Sequence, residues 1–330
     1  MQRTIDTCLI LVLPKPYNML IRLLPLLALL LLSVSTFAQN EKVTVKRETK
    51  TTKGNTTETI FTATNESFAR QTIIMELNGG KYRRPAVSLP VVATLKPGNN
   101  SLLRLSDVNG APGYGYTYAQ GCLNTKPTAV TYLLPVAPGK NTRIDTLSNI
   151  ETTYFGKQRP ENWHAYAMEA AQGDTIFASR RGLVIEVESR EASGFTSGIS
   201  YTSSRTHLTL EHEDCTRARY ELFEQEGVLT EPGQWVEAGD PLGRVSDGKA
   251  YVNGTHLRFS VYYPNLTRET LKELRKDGNY RYTNTYVSPV FASIGVPQSG
   301  ETYLSEHPEG LIFQEMSKRQ VKKWKKKREQ

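Results

Sequence analysis

Few residues of this chain are equipped to act as ligands, bases or nucleophiles, and their spacing says more than their number. The stretch GTHLRFSV, Gly254 to Val261, sets His256 and Arg258 two residues apart. In a strand that spacing puts both side chains on one face. Two imidazoles so placed would suit zinc, which takes imidazole nitrogen, carboxylate oxygen or thiolate and keeps one position open for an attacking water. Arg258 instead offers hydrogen-bond donors and a permanent charge, with no lone pair to give. The other candidate donors are His164, His207, His212, His307, Asp174, Glu211 and Glu213. Of these, His164 with His256 is the best remaining pair, and two imidazoles without a third ligand nearby make a weak zinc site. No nucleophile elbow of the form GxSxG is present, and Cys215 has no His-Asp context to activate it.

The elements that must position these residues are short strands. From about Lys42 to Asp145, segments such as TETIFTATN, RQTIIMELNGG, PVVATLKPGNNSLLRL, YGYTYAQG and AVTYLLPVAPGK alternate with Asn-Gly, Pro-Gly and Gly-Lys turn signals, the pattern of a small β-sandwich. Residues 146–162 read as a connector. A second β-rich region runs from about Trp163 to Gly295, with strands in DTIFAS, GLVIEVES, HLTLEHED, RARYELFEQ and HLRFSVYY. NLTRETLKELRKDG is its one good helical pattern: Asn265 or Thr267 caps it, Leu271 and Leu274 share a face, and Gly278 closes it. SEHPEGLIFQEMSKRQVKKWKKK reads as one amphipathic helix fading into a solvated tail.

The composition, 38 % hydrophobic and 22 % charged, is that of a folded soluble protein rather than a polytopic membrane protein. The formal net charge of +8 is concentrated in Lys318, Arg319, Lys322, Lys323, Lys325, Lys326, Lys327 and Arg328. The rest of the chain is near neutral, which argues against a folded surface that follows nucleic-acid phosphates. That run either adsorbs to an anionic surface or is simply solvated. Residues 19–38, MLIRLLPLLALLLLSVSTFA, have one positive charge, an apolar run and a small-residue ending at Thr36 and Ala38. This predicts a signal peptide starting at Met19 and cleaved before Gln39, with a membrane anchor as the alternative. No cysteine follows the run, so a lipid anchor is not expected. Export would leave Cys122 and Cys215 in a compartment that permits a disulfide, though the sequence does not decide whether they pair.

Residues 163–262 resemble the lysostaphin and LytM family of zinc endopeptidases, which cut peptide cross-links of bacterial cell walls. The likeness is strongest in scaffold residues: Gly227, Gly233, Gln234, Val236, Gly239, Leu242 and Gly243, preceded by Gly173, Ala178, Gly182 and Val184 and followed by Gly254, Thr255, His256 and Leu257. It implies an all-β fold: an immunoglobulin-like β-sandwich over 39–148, a LytM-like antiparallel β domain over 149–300, and a helical basic tail over 301–330. His212 falls where family members carry a strand-end histidine away from the metal, which implies a structural role, and Cys215 replaces a turn glycine.

The resemblance also says which residues should hold zinc. Its His-x-x-x-Asp segment falls on Trp163 and Ala167, its Tyr-x-His-Leu histidine on Leu222, and its last His-x-His histidine on Arg258. Sliding the register by one brings His164 into the first position but Met168 into the second, and a thioether is a poor zinc ligand. Only His256 survives of five positions. The implied protein is a catalytically inactive member of the family that keeps no cofactor and binds peptidoglycan or a cell-envelope protein through a vestigial groove lined by His164, His256 and Arg258, in the periplasm or outside the cell. Arg258 would meet a carboxylate of that ligand or pair internally with Glu186 or Glu221. The competing expectation is an atypical zinc metalloendopeptidase, and a third is a spacer protein acting through its tail.

Overall fold

A computed structural model describes residues 42–51, 57–147, 162–189, 206–246, 255–278 and 283–328. The leader-like segment over 19–38 lies outside the described residues, and among these no helix is long and apolar enough to cross a membrane.

The first sandwich is built from β1 (Val43–Thr51), β2 (Thr57–Asn65), β3 (Gln71–Asn78), β4 (Val91–Leu95), β5 (Gly98–Leu105) and β6 (Gly113–Gln120). They form two antiparallel sheets, β1-β2-β5 and β4-β3-β6, which close on Phe61, Ala63, Ile73, Met75, Leu103 and Leu105. The apolar run of β3 lacks the alternation of a half-solvated strand because both its faces are covered. Ile73 and Met75 point into the sandwich, whereas Ile74 packs with Ala119, Leu266 and Leu271 on the other side.

Leu271 belongs to α1 (Arg268–Lys276), which follows the strand carrying His256 and Arg258. Thr267, not Asn265, caps it, exchanging bonds with Thr270 in a capping box. Leu271 and Leu274 do share the packed face. The end differs from expectation: Asp277 caps in extended conformation, so Gly278 is not used as a left-handed stop.

The second domain comprises β7 (Thr131–Tyr132), β8 (Asn141–Thr146), β9 (Tyr166–Glu169), β10 (Thr175–Phe177), β11 (Gly182–Glu188), β12 (His207–Glu211), β13 (Arg217–Glu221), β14 (Phe223–Val228), β15 (Trp235–Val236), β16 (Pro241–Val245), β17 (His256–Pro264), β18 (Asn284–Val287), β19 (Val290–Phe291) and β20 (Glu301–Leu304). Its main sheet runs β15-β11-β12-β13-β17-β9-β8-β20, with β18 also on β17, and a smaller sheet, β10-β16-β14, packs beside it. Tyr166, Met168, Leu208, Leu210, Tyr220, Leu257, Phe259 and Val261 fill the core. Two scaffold glycines show why the pattern is glycine-rich. Gly233 turns at φ +91, and a Cβ on Gly243 would stand 2.6 Å from the ring of Phe223.

Two boundaries drawn from sequence move. Ile144 pairs with Met168 and Thr302 with Arg143, so β8 and β20 are strands of the second domain rather than parts of the sandwich and the tail. The tail is two helices, α2 (Glu309–Ile312) and α3 (Lys318–Arg328), not one. Ser317 and Gln320 exchange hydrogen bonds at the start of α3, and Trp324 stacks edge-on against Phe313 at 5.0 Å, beside a cluster of Leu133, Ala238 and Ile312. The basic run is thus folded onto the domain through its tryptophan.

The domains are joined covalently. Cys122 and Cys215 form a disulfide with their Cα atoms 6.0 Å apart, across 93 residues. Cys215 sits at φ +67, the backbone expected where a turn glycine has been replaced. Around it Arg70 donates to the carbonyls of His212 (3.0 Å) and Glu213 (3.2 Å), and the Thr128 amide donates to Asp214 (2.8 Å). Arg180, only 1 % exposed, ties in the C-terminal segment through Asp214 (3.0 Å) and Glu315 (2.7 Å).

Candidate functional site

The sequence of β17, HLRFSVYYP, decides which side chains face away from the core. Leu257, Phe259 and Val261 are buried in it, so His256, Arg258 and Ser260 line the opposite face. Directly paired residues of antiparallel strands share a face, which lets the register place every other group. Asp145, Ala167, Arg258, Glu221, His207 and Glu188 are successive partners across β8, β9, β17, β13, β12 and β11. A single transverse row therefore holds Asp145, Arg258, Glu221, His207 and Glu188 on one face.

Arg258 lies opposite Ala167 on one side and Glu221 on the other. Its Nη1 is 3.4 Å from Glu221 Oε2, while Arg219 Nε donates to Glu221 Oε1 at 2.7 Å. Burial acts to raise the Glu221 carboxyl, but the Arg219 and Arg258 charges outweigh it and hold it below the usual range. Of the two internal acids expected for Arg258, Glu221 is the one it meets. On the far side of Glu221, the His207 Nε2 is 3.4 Å from Glu186 Oε2 and 3.5 Å from Glu188 Oε2.

The other positions are scattered. The Trp163 indole donates to the Leu147 carbonyl (3.3 Å) and its ring meets Tyr286 at 4.5 Å. Leu222 is buried at φ +82 in the turn between β13 and β14. His256 pairs with Glu169 on β9, whereas His164 is exposed and stands two residues before that strand. The register brings His256 and Arg258 to one face and does not extend to His164.

The remaining candidates have structural partners. His212 is fully buried, its Nδ1 2.7 Å from the Arg181 carbonyl; burial first, and then Arg180, push it down to about 3, so the neutral ring donates there. His307 meets the Leu134 carbonyl at 2.8 Å. Glu211 accepts from Arg217 (2.9 Å), Glu213 from Arg70 (3.0 Å), and Asp174 from Lys140. Cys215 is consumed in the disulfide. What sequence reasoning missed is the cluster of Glu186 and Glu188 with His207. Its signal was present in the parity of GLVIEVES and HLTLEHED, but nothing in the sequence said which strand neighbours which.

The residues that the sequence resemblance sets at the zinc positions do not suit the ion: guanidinium, methyl, indole N–H and isobutyl groups at Arg258, Ala167, Trp163 and Leu222 supply no electron pair to it.

The fold is that of an antiparallel β protein. Within it, residues 161–270 match the model of peptidase family M23. Among solved structures it is similar to the M23 metalloprotease pseudoalterin from the deep sea, at 13 % identity and TM-score 0.30 over 55 % of this chain and 98 % of that one. It is likewise similar to a putative peptidase M23 of Pseudomonas aeruginosa, at 13 % identity and TM-score 0.29 over 64 % and 90 %. A third likeness is to the SpoIIQ-SpoIIIAH pore-forming complex, at 16 % identity and TM-score 0.28 over 41 % and 85 %. The likeness to family M23 rests on the matched segment. No curated protein matches the chain.

Proposed function

We propose that this chain is a catalytically inactive M23 protein of the bacterial cell envelope that binds peptidoglycan or a cell-wall enzyme through the polar face of its second domain. One observation carries the reading: Arg258, opposite Ala167 and paired with Glu221, is a fixed cation at the position where the sequence resemblance expects a metal ligand. Arg258 brings a positive charge there, neutralised by Glu221, and no Lewis acidity. His256 remains beside it as a hydrogen-bonding group suited to peptide carbonyls and carboxylates. Export is supported by the leader-like segment and by a disulfide, which persists in oxidising compartments. The basic face of α3 is an additional contact for anionic polymer or lipid, with Lys318, Arg319, Lys322, Lys323, Lys325 and Lys326 exposed.

The test is a pair of assays on the mature chain. Incubated with zinc and purified peptidoglycan, it should release no soluble muropeptides, yet it should co-sediment with the insoluble wall, and His256→Ala should weaken that retention. Muropeptide release lost in His256→Ala would establish a working peptidase instead. Absence of retention on the wall would leave the enzyme-partner reading to be tested by crosslinking in cells.

A further inference from the structure

The donors that do converge on this face stand two strands from Arg258. His207 on β12 is 1 % exposed and points the same way as Glu188, its register partner on β11, and Glu186 two residues earlier. One ligand atom from each of the three lies within 4.8 Å of the others, and the imidazole nitrogen is 3.4 and 3.5 Å from the two carboxylate oxygens. A tetrahedral ion with bonds of about 2.0–2.1 Å has ligands about 3.4 Å apart. We propose that Glu186, Glu188 and His207 form a binding site for a divalent transition-metal ion of the zinc class, with water completing its shell.

The surroundings support this. Imidazole with two carboxylates is a donor set such ions accept. The Thr209 hydroxyl donates to Glu186 at 3.3 Å, the kind of outer support that orients metal ligands. The Glu186 and Glu188 side chains are 50 % and 34 % exposed, which gives an ion a way in and room for water. Because β11 and β12 are consecutive, an ion here would clip the base of the connection between them.

The site lies roughly 10 Å from Arg258 at the spacing of sheet strands, with Glu221 between, so it is not the family's metal position. The experiment is calorimetric titration of the chelator-treated full chain with Zn2+ and, separately, Mn2+. One ion per chain should bind, with the thermal midpoint raised. His207→Ala should abolish binding, and Glu188→Gln should weaken it at least tenfold. Glu48→Gln, at an exposed position of the first sandwich, should leave it unchanged. Should His207→Ala fail to fold, Glu186→Gln with Glu188→Gln serves in its place, since both side chains reach solvent. No saturable binding by the unmodified chain, or undiminished binding by these variants, overturns the site, and either result leaves the reading of Arg258 untouched.

Discussion

Arg258 and Glu221 are partners twice over: they face each other in the register of β17 and β13, and their charged ends meet at 3.4 Å. Both side chains are largely shielded, at 13 % and 17 % exposure, so neither charge is cheaply left alone.

Replacing Arg258 with alanine should lower stability by about 1–2 kcal/mol, because Arg219 remains to serve Glu221 but half of its compensation is gone. A double-mutant cycle with Glu221→Gln, read by urea denaturation, should give a coupling of about 1 kcal/mol. A coupling near zero would show the pair to be incidental.

The disulfide should contribute through the 93-residue loop it closes. Cys122→Ser with Cys215→Ser, or reduction of the native chain, should cost about 2–5 kcal/mol. Limited proteolysis should then cut between the domains, near residues 123–130. An unchanged denaturation curve would contradict this.

Arg180 is buried against two acids, so Arg180→Met should destabilise by roughly 3 kcal/mol or more, because it strands Asp214 and Glu315. Glu315→Gln should be milder and should mainly loosen the C-terminal helices. Faster tryptic cleavage within residues 318–328, with the rest of the domain intact, is the expected reading.

His212 makes stability depend on pH with a definite sign. Its folded value, about 3, lies below its ordinary 6.5, so the unfolded chain binds the extra proton between those values. Stability from this group is full above about pH 6.5 and falls as the pH drops toward 3, at about 1.4 kcal/mol per pH unit. The urea midpoint of His212→Gln should change less steeply with pH over that window. Equal slopes would refute the buried neutral ring.

By itself the sequence determined the strand-rich class, the likeness of the second domain to a peptidase family and the lack of a donor electron pair at Arg258, Ala167 and Leu222. These are local matters: alternation marks a strand, glycines mark turns or close approaches, and a side chain either has an electron pair or has none. It also narrowed the start of α1 to Asn265 or Thr267, and the structure uses Thr267.

What it left open depends on which strands lie side by side. Residues 131–147 look like any other strand-rich segment, and only pairing with β9, β19 and β20 assigns them to the second domain. The union of Cys122 with Cys215, the choice of Glu221 over Glu186 for Arg258, and the meeting of Glu186, Glu188 and His207 were decided in the same way. Each joins residues far apart in the chain through sheet order and register, which arise when the whole apolar core closes and are encoded in no single stretch.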